Sequence, residues 1–203
     1  MAEGTRRPRA ATEEKRLRLL DATEEIMLKD GYAAVSSRTV AAAVGIQAPL
    51  VHYYFPTLDD LFVAVLQRRA APNVQHIAEA MASPTPLRAW WKLASDPRGT
   101  ALMVELLAAA NHRPALKAEV GVIAREVRRL QMDALESLLG EYGIDKALYP
   151  PAFIAATIQG LAFSAVQDQA AGYDTSPDEA IAAMDRLIDR LEVERERRHR
   201  GTT

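Results

Sequence analysis

An all-α fold is predicted by this sequence, and three observations carry the prediction. Alanine is abundant while aromatic residues make up only 6% of the chain, a balance that favours helix over sheet. Apolar residues return at three- and four-residue spacing, as in Leu19, Ala22 and Ile26. The periodic stretches are separated by glycine, proline and good cap residues, each with a definite stop or start meaning. The expected division is a three-helix amino-terminal part, residues 1–56, and a larger helical part, residues 57–203.

Composition narrows the class. With 203 residues, 49% of them hydrophobic, the chain can bury one large core or two unequal ones. It has no cysteine, which excludes disulfides and thiolate metal sites and fits a reducing cytoplasm. The start, MAEGTRRPRAA, is basic but lacks the apolar stretch of a signal peptide, and no apolar run reaches membrane-span length. A soluble, cytoplasmic protein is expected. The formal net charge of −2 does not itself advertise nucleic acid. Residues 1–56 nevertheless hold eight Lys and Arg against seven Asp and Glu, and Arg6, Arg7, Arg9, Lys15, Arg16 and Arg18 form a cluster. That cluster reads either as a solvated tail or as a basic arm beside a DNA-binding element.

The elements follow in order. A first helix is expected from about Thr12 to Lys29, stopped by Gly31. Ser37 sits before Arg38-Thr39-Val40-Ala41 as the expected cap of a second helix, which Gly45 ends. This helix spans about two turns and must be held by packing. Pro49 is tolerated only in a first turn, so the third helix should start near Gln47 or Ala48 and end near Tyr54, before Pro56. On it Val51 and Phe55 lie four apart and point toward the protein, leaving Gln47, Ala48, Leu50, His52 and Tyr53 on or near the other face. Thr57 should cap a fourth helix, to about Arg69, with Asp59 and Asp60 in its favourable first turn. A helix, a short helix, a glycine turn and a second short helix with a polar and aromatic face make a helix-turn-helix.

At these residues the chain resembles the TetR family of bacterial transcription regulators. The resemblance covers residues 16–66: LLDAT…GY, Ser-Arg-Thr-Val opening the second helix, Ala-Val-Gly at the turn, V-H-Y-Y-F closing the third, and Pro-Thr opening the fourth. It implies that Ser37 caps its helix and meets a phosphate. It implies that Arg38 reaches a phosphate or a guanine edge, and that Gln47, Ala48 and Leu50 face the major groove. Tyr53 and Tyr54 would donate to phosphates, with core packing the alternative, and His52 would belong to the same surface. Thr57 would open a helix whose free N–H groups receive another phosphate. Two positions depart from the family: Leu58 stands where a lysine is common, and His52 where a tyrosine is usual.

Beyond Pro72 further helices are expected, broken at Ser83–Pro86, Asp96–Gly99, Arg113-Pro114, Gly140–Pro151 and Gly172–Pro177, with Ser176 opening the last. Pro151–Gly172 is apolar on nearly every side and reads as buried all round. Its small residues Ala155, Ala156, Gly160, Ala162 and Ala165 permit close helix approach. The final helix carries Ile181, Met184, Ile188 and Leu191 on one stripe. Residues 151–172 and 177–195 from two copies could form a four-helix homodimer interface, as the resemblance implies; the alternative is that they only complete their own core. Trp90, Trp91, Met103, Leu106, Asn111, His112, Phe153, Gln159, Phe163 and Gln167 are candidates to line a pocket for a small organic effector, each with ordinary core as the alternative. No metal site is expected, because the spacing of His76 and His112 matches no ligand motif, and no cofactor is expected either.

Three readings remain. The first is a dimeric, ligand-responsive transcription regulator on a palindromic double-stranded DNA operator, with repression the family's commoner habit. The second is a helical-bundle enzyme, which lacks a glycine-rich phosphate loop, a paired Glu-x-x-His motif or a nucleophile with an evident base. The third is a protein-interaction module that docks a partner through its tyrosine-rich helix.

Overall fold

The structure is a computed structural model and describes residues 6–172 and 177–201, with side chains from 11 to 172 and from 179 to 200. The described residues are all-α. The helices are α1 (Arg6–Asp30), α2 (Ser37–Val44), α3 (Ala48–Tyr54), α4 (Leu58–Met81), α5 (Pro86–Ala94), α6 (Pro97–Ala110), α7 (Pro114–Glu141), α8 (Pro151–Ala171) and α9 (Pro177–Gly201), with a 3-10 turn at Tyr32–Ala34. Every proline-marked break from Ser83 onward is a helix boundary. Ser176, the expected opener of the last helix, and the side chains of Arg6, Arg7 and Arg9 lie outside the described residues.

Two compact units form. The first comprises residues 1–70 and 101–121, and the second 71–100 and 122–203. The compact unit is thus larger than the three helices ending at Pro56. It takes in the first half of α4, because Leu61, Phe62, Val65 and Leu66 are all buried, and much of α6, whose Leu102 and Leu106 are buried.

In the first unit α1 packs on α2 and α2 on α3. Leu19, Leu20, Met27, Val40, Val51 and Phe55 are buried there. Val51 and Phe55 are the inward anchors that the four-residue spacing predicts, and Gly45 closes α2 in the left-handed region at φ 71°. Glu24 is buried and tied to Arg68 of α4, whose Nε donates to Glu24 Oε1 at 3.1 Å.

Three expectations need correction. The cap of α2 is Ser36, not Ser37: Ser36 Oγ accepts from the Thr39 amide at 3.1 Å, and Thr39 Oγ1 accepts from the Ser36 amide at 2.9 Å. This reciprocal box satisfies two otherwise unpaired donors, so it wins over a cap one residue later. Second, α4 does not stop near Arg69 but continues through Pro72 to Met81. Proline removes a single ladder bond, and buried Ile77, Ala80 and Met81 hold the turns beyond it. Third, α8 is not buried all round. Ala155, Ile158 and Ala162 are buried, whereas Phe153 is 51% exposed and Gly160 has nothing within 4 Å of where a Cβ would stand.

The second unit packs α5 against α8 and α9. Its core holds Trp90, Trp91, Leu135, Leu139, Tyr142, Ile158 and Ile188. Three bonds pair polar groups at its core: Glu192 accepts from the Tyr142 hydroxyl at 2.8 Å and from the Arg88 amide at 3.0 Å, and Trp91 Nε1 donates to Asp185 Oδ1 at 3.0 Å. Burial beside Glu192 pushes the Tyr142 hydroxyl well above its ordinary range.

Candidate nucleic-acid interface

The helix-turn-helix presents one continuous surface built by α2, α3 and the start of α4. Pro49 fixes the first turn of α3, and Gln47 precedes it in extended conformation at ψ 142°. With Val51 and Phe55 turned inward, Gln47, Pro49, Leu50, His52 and Tyr53 are exposed, and Ala48 and Tyr54 are half-buried. Tyr53 is 73% exposed and meets Tyr54 edge to face, with ring centroids 5.1 Å apart. A shallow groove of about 690 Å³ is lined by Ser36, Ser37, Arg38, Ala48, Pro49, His52 and Leu58. A second, of about 450 Å³, is lined by Ile46, Gln47, Pro49 and Leu50. Pro49 is the ridge they share.

Hydrogen bonding fixes the first groove. His52 spans it: Nε2 lies 2.9 Å from Ser37 Oγ, and Nδ1 lies 3.2 Å from the Pro56 carbonyl. Ser37 is therefore a tie between α2 and α3. At Thr57, where a phosphate is expected, Asp60 Oδ2 accepts from the Thr57 amide at 2.9 Å and from its hydroxyl at 2.8 Å. Leu58, in place of a basic residue, adds an apolar wall.

The described part of the basic run is mostly put to structural use. Arg16 lies over the Phe55 ring, 5.2 Å from its centroid, and Arg18 Nη2 donates to the Val44 carbonyl at 3.4 Å, capping the end of α2. Arg38 is exposed on α2 at the groove edge.

The residues proposed for an effector pocket are divided between the units. Met103, Leu106, Asn111 and His112 belong to the first; Trp90, Trp91, Phe153, Gln159, Phe163 and Gln167 belong to the second. Trp90, Trp91 and Leu106 are buried in core packing. Asn111 and His112 are exposed, and the His112 ring stacks on Tyr32 at 6.5 Å. Phe153 and Gln167 are exposed; Met103, Gln159 and Phe163 are half-buried. Sequence reasoning missed Ser36, Ile46 and Pro49 as parts of the surface. The Ser36-to-Thr39 spacing was the available signal for the first, but two adjacent serines compete for the cap.

An anchored short helix, a glycine turn and an outward face of small, apolar and tyrosine side chains define a helix-turn-helix DNA-binding module. Residues 19–65 match the family model of the bacterial regulatory proteins of the tetR family. Over 85 residues the chain is 32% identical to the HTH-type transcriptional activator FasR of Mycolicibacterium smegmatis; the match covers 42% of this chain and 37% of that protein. Two solved structures share its fold. One is a TetR-family transcriptional regulator from Rhodococcus sp., with TM-score 0.67 and 19% identity over 89% of this chain and 99% of that one. The other is the fatty acid degradation regulator FadR from Bacillus halodurans, with TM-score 0.62 and 16% identity over 89% of this chain and 96% of that one. Over its helix-turn-helix region, residues 19–65, the chain matches the TetR family of transcriptional regulators.

Proposed function

We propose that the chain regulates transcription as a homodimer that lays α3 of each copy in the major groove of a near-palindromic DNA site. The observation that carries this reading is the division of α3. Val51 is 1% exposed and Phe55 3%, while Tyr53 on the same short helix is 73% exposed. A tyrosine so exposed is not core, and its hydroxyl is free of the helix to meet a phosphate. Arg38 at the groove edge supplies charge, and Gln47, Ala48 and Leu50 supply the surface for base edges. Thr57 is left out of the contact set, since Asp60 occupies it.

Pairing through α8 and α9 is supported by apolar side chains left open along both helices: Phe153 on α8, and Leu187 and Val193, each 49% exposed, on α9. Twofold pairing requires reading helices about one turn of DNA apart, roughly 34–36 Å, or a multiple of it. Repression is the family's commoner habit, yet the relative FasR is an activator. Response to a small organic effector rests on the regulator class and on half-buried Gln159 and Phe163 of α8. The buried pair Trp90 and Trp91 makes it measurable: a cognate effector should change tryptophan emission and DNA affinity over one concentration range.

The experiment is a mobility shift with the DNA flanking the chain's own gene, at two salt concentrations. Binding that weakens steeply with salt supports the proposal, because released counterions report phosphate contacts. A protein-interaction module would give no shift at either salt.

A further inference from the structure

Hydrogen-bonding capacity on the face of α3 is scarcer than its residue types suggest. The Pro56 carbonyl can only accept, so His52 Nδ1, 3.2 Å away, carries the ring proton. In the neutral ring Nε2 then accepts the hydroxyl proton of Ser37, at 2.9 Å. Both ring nitrogens and that proton are thereby committed. Ser36 and Thr39 are closed on each other in the capping box. Pro49 has no amide hydrogen at all. What the leading half of α3 offers outward is apolar: Ala48, Pro49 and Leu50, with Ile46 just before. Gln47 alone in the second groove carries a side-chain amide.

Apolar side chains distinguish bases in one way, by touching the 5-methyl group of thymine in the major groove. A glutamine amide matches the N6 and N7 edge of adenine. Resting on the reading that α3 enters the major groove, we propose that the base pairs beneath α3 are A·T. Leu50 and Pro49 pack on thymine methyls, and Gln47 pairs with an adenine edge. Arg38 lies on α2 and serves a guanine or phosphate outside this core. His52, despite its ring, is a positioning residue that sets the angle of α3 through Ser37 and Pro56 and reads no base.

The test starts from selection of sites by the purified full chain out of random duplex DNA. Each thymine of the selected site is then replaced singly by deoxyuridine, which removes the methyl and keeps the pairing. At one or two positions per half-site the affinity should fall about fourfold, the value of one buried methyl. Leu50→Ala should erase that sensitivity at the thymine beneath Leu50, leaving any beneath Pro49, while the melting temperature stays close to that of the parent, since Leu50 is exposed. A site that tolerates uracil everywhere, or a Leu50→Ala protein as sensitive as the parent, overturns the assignment and leaves DNA binding standing. Failure to enrich any sequence overturns the DNA-binding reading itself, and this inference with it.

Discussion

Ser36 and Ser37 are neighbours with different partners, and the difference can be measured. Ser36 closes the cap of α2 with Thr39, whereas Ser37 ties α2 to the His52 ring of α3. Ser36→Ala should cost about 1 kcal/mol of stability, as removal of a cap does. Ser37→Ala removes one exposed bond and should cost roughly half as much. Thermal melts of the two variants check the order; a larger loss at Ser37 would return the cap to that residue. The pair also shows where sequence legibility ends at this scale. That a helix opens at these serines is readable from Val40, Ala41 and Gly45. Which serine caps it depends on the reciprocal bond with Thr39, and Thr39 is not the acidic or amide residue that usually marks such a box. Inward Val51 and Phe55 were legible because a four-residue spacing has one geometric meaning. The partners of His52 were not, since they come from residues 15 positions earlier and four later.

Contacts between elements supply two further predictions. In the first unit Arg68 of α4 binds buried Glu24 and, at 2.7 Å, Asp21 of α1. Arg68→Ala would leave the Glu24 carboxylate buried with only Arg69 Nε, 3.4 Å away, so the loss should be about 3 kcal/mol. Glu24→Gln in the same protein should recover part of it, because a neutral amide needs no cation; a melting temperature unmoved by Arg68→Ala would show the pair to be ornamental. In the second unit Arg195 donates from Nε to Glu141 Oε2 at 2.9 Å. That hydrogen bond holds the Glu141 carboxyl below its ordinary value of 4.5. A lowered folded value means the carboxylate stabilises the fold fully above 4.5 and loses that contribution as pH falls through the folded value. Between about pH 5 and pH 3 the parent should therefore lose more melting temperature than Glu141→Gln does. Parallel losses would show that Arg195 contributes nothing through this pair. Helix boundaries were legible wherever proline and glycine acted locally, as at Pro86, Pro97, Pro114 and Pro151. Pro72 misled, because packing on both sides of it outweighs one missing ladder bond.

For the whole molecule the open question is what covers α8 and α9. Gly160 is exposed, and a Cβ there would meet nothing, so Gly160→Arg should leave the isolated chain folded. In the proposed homodimer the same side chain enters the helix contact and should split it. Sedimentation should then give a monomer with the parent's helical circular dichroism. An unchanged dimer would move the interface away from this face of α8. The apolarity of α8 was legible, but its solvent-open side was not, because composition cannot say whether a helix is covered by its own chain or by another. The effector residues were least legible: Trp90 and Trp91 suit a pocket wall and a core equally well by type, and only packing places them in the core. The proposed function puts DNA on the surface around Arg38 and Tyr53. Its most direct test is the salt dependence of binding to a selected site, measured by fluorescence anisotropy for the parent, Arg38→Ala and Tyr53→Ala. Both variants should bind at least tenfold more weakly with unchanged melting temperature, and if Arg38 meets a phosphate its loss should lower the slope of log affinity against log salt by about 0.9. Parent-like affinity and slope in both variants would mean that DNA does not bind at this surface.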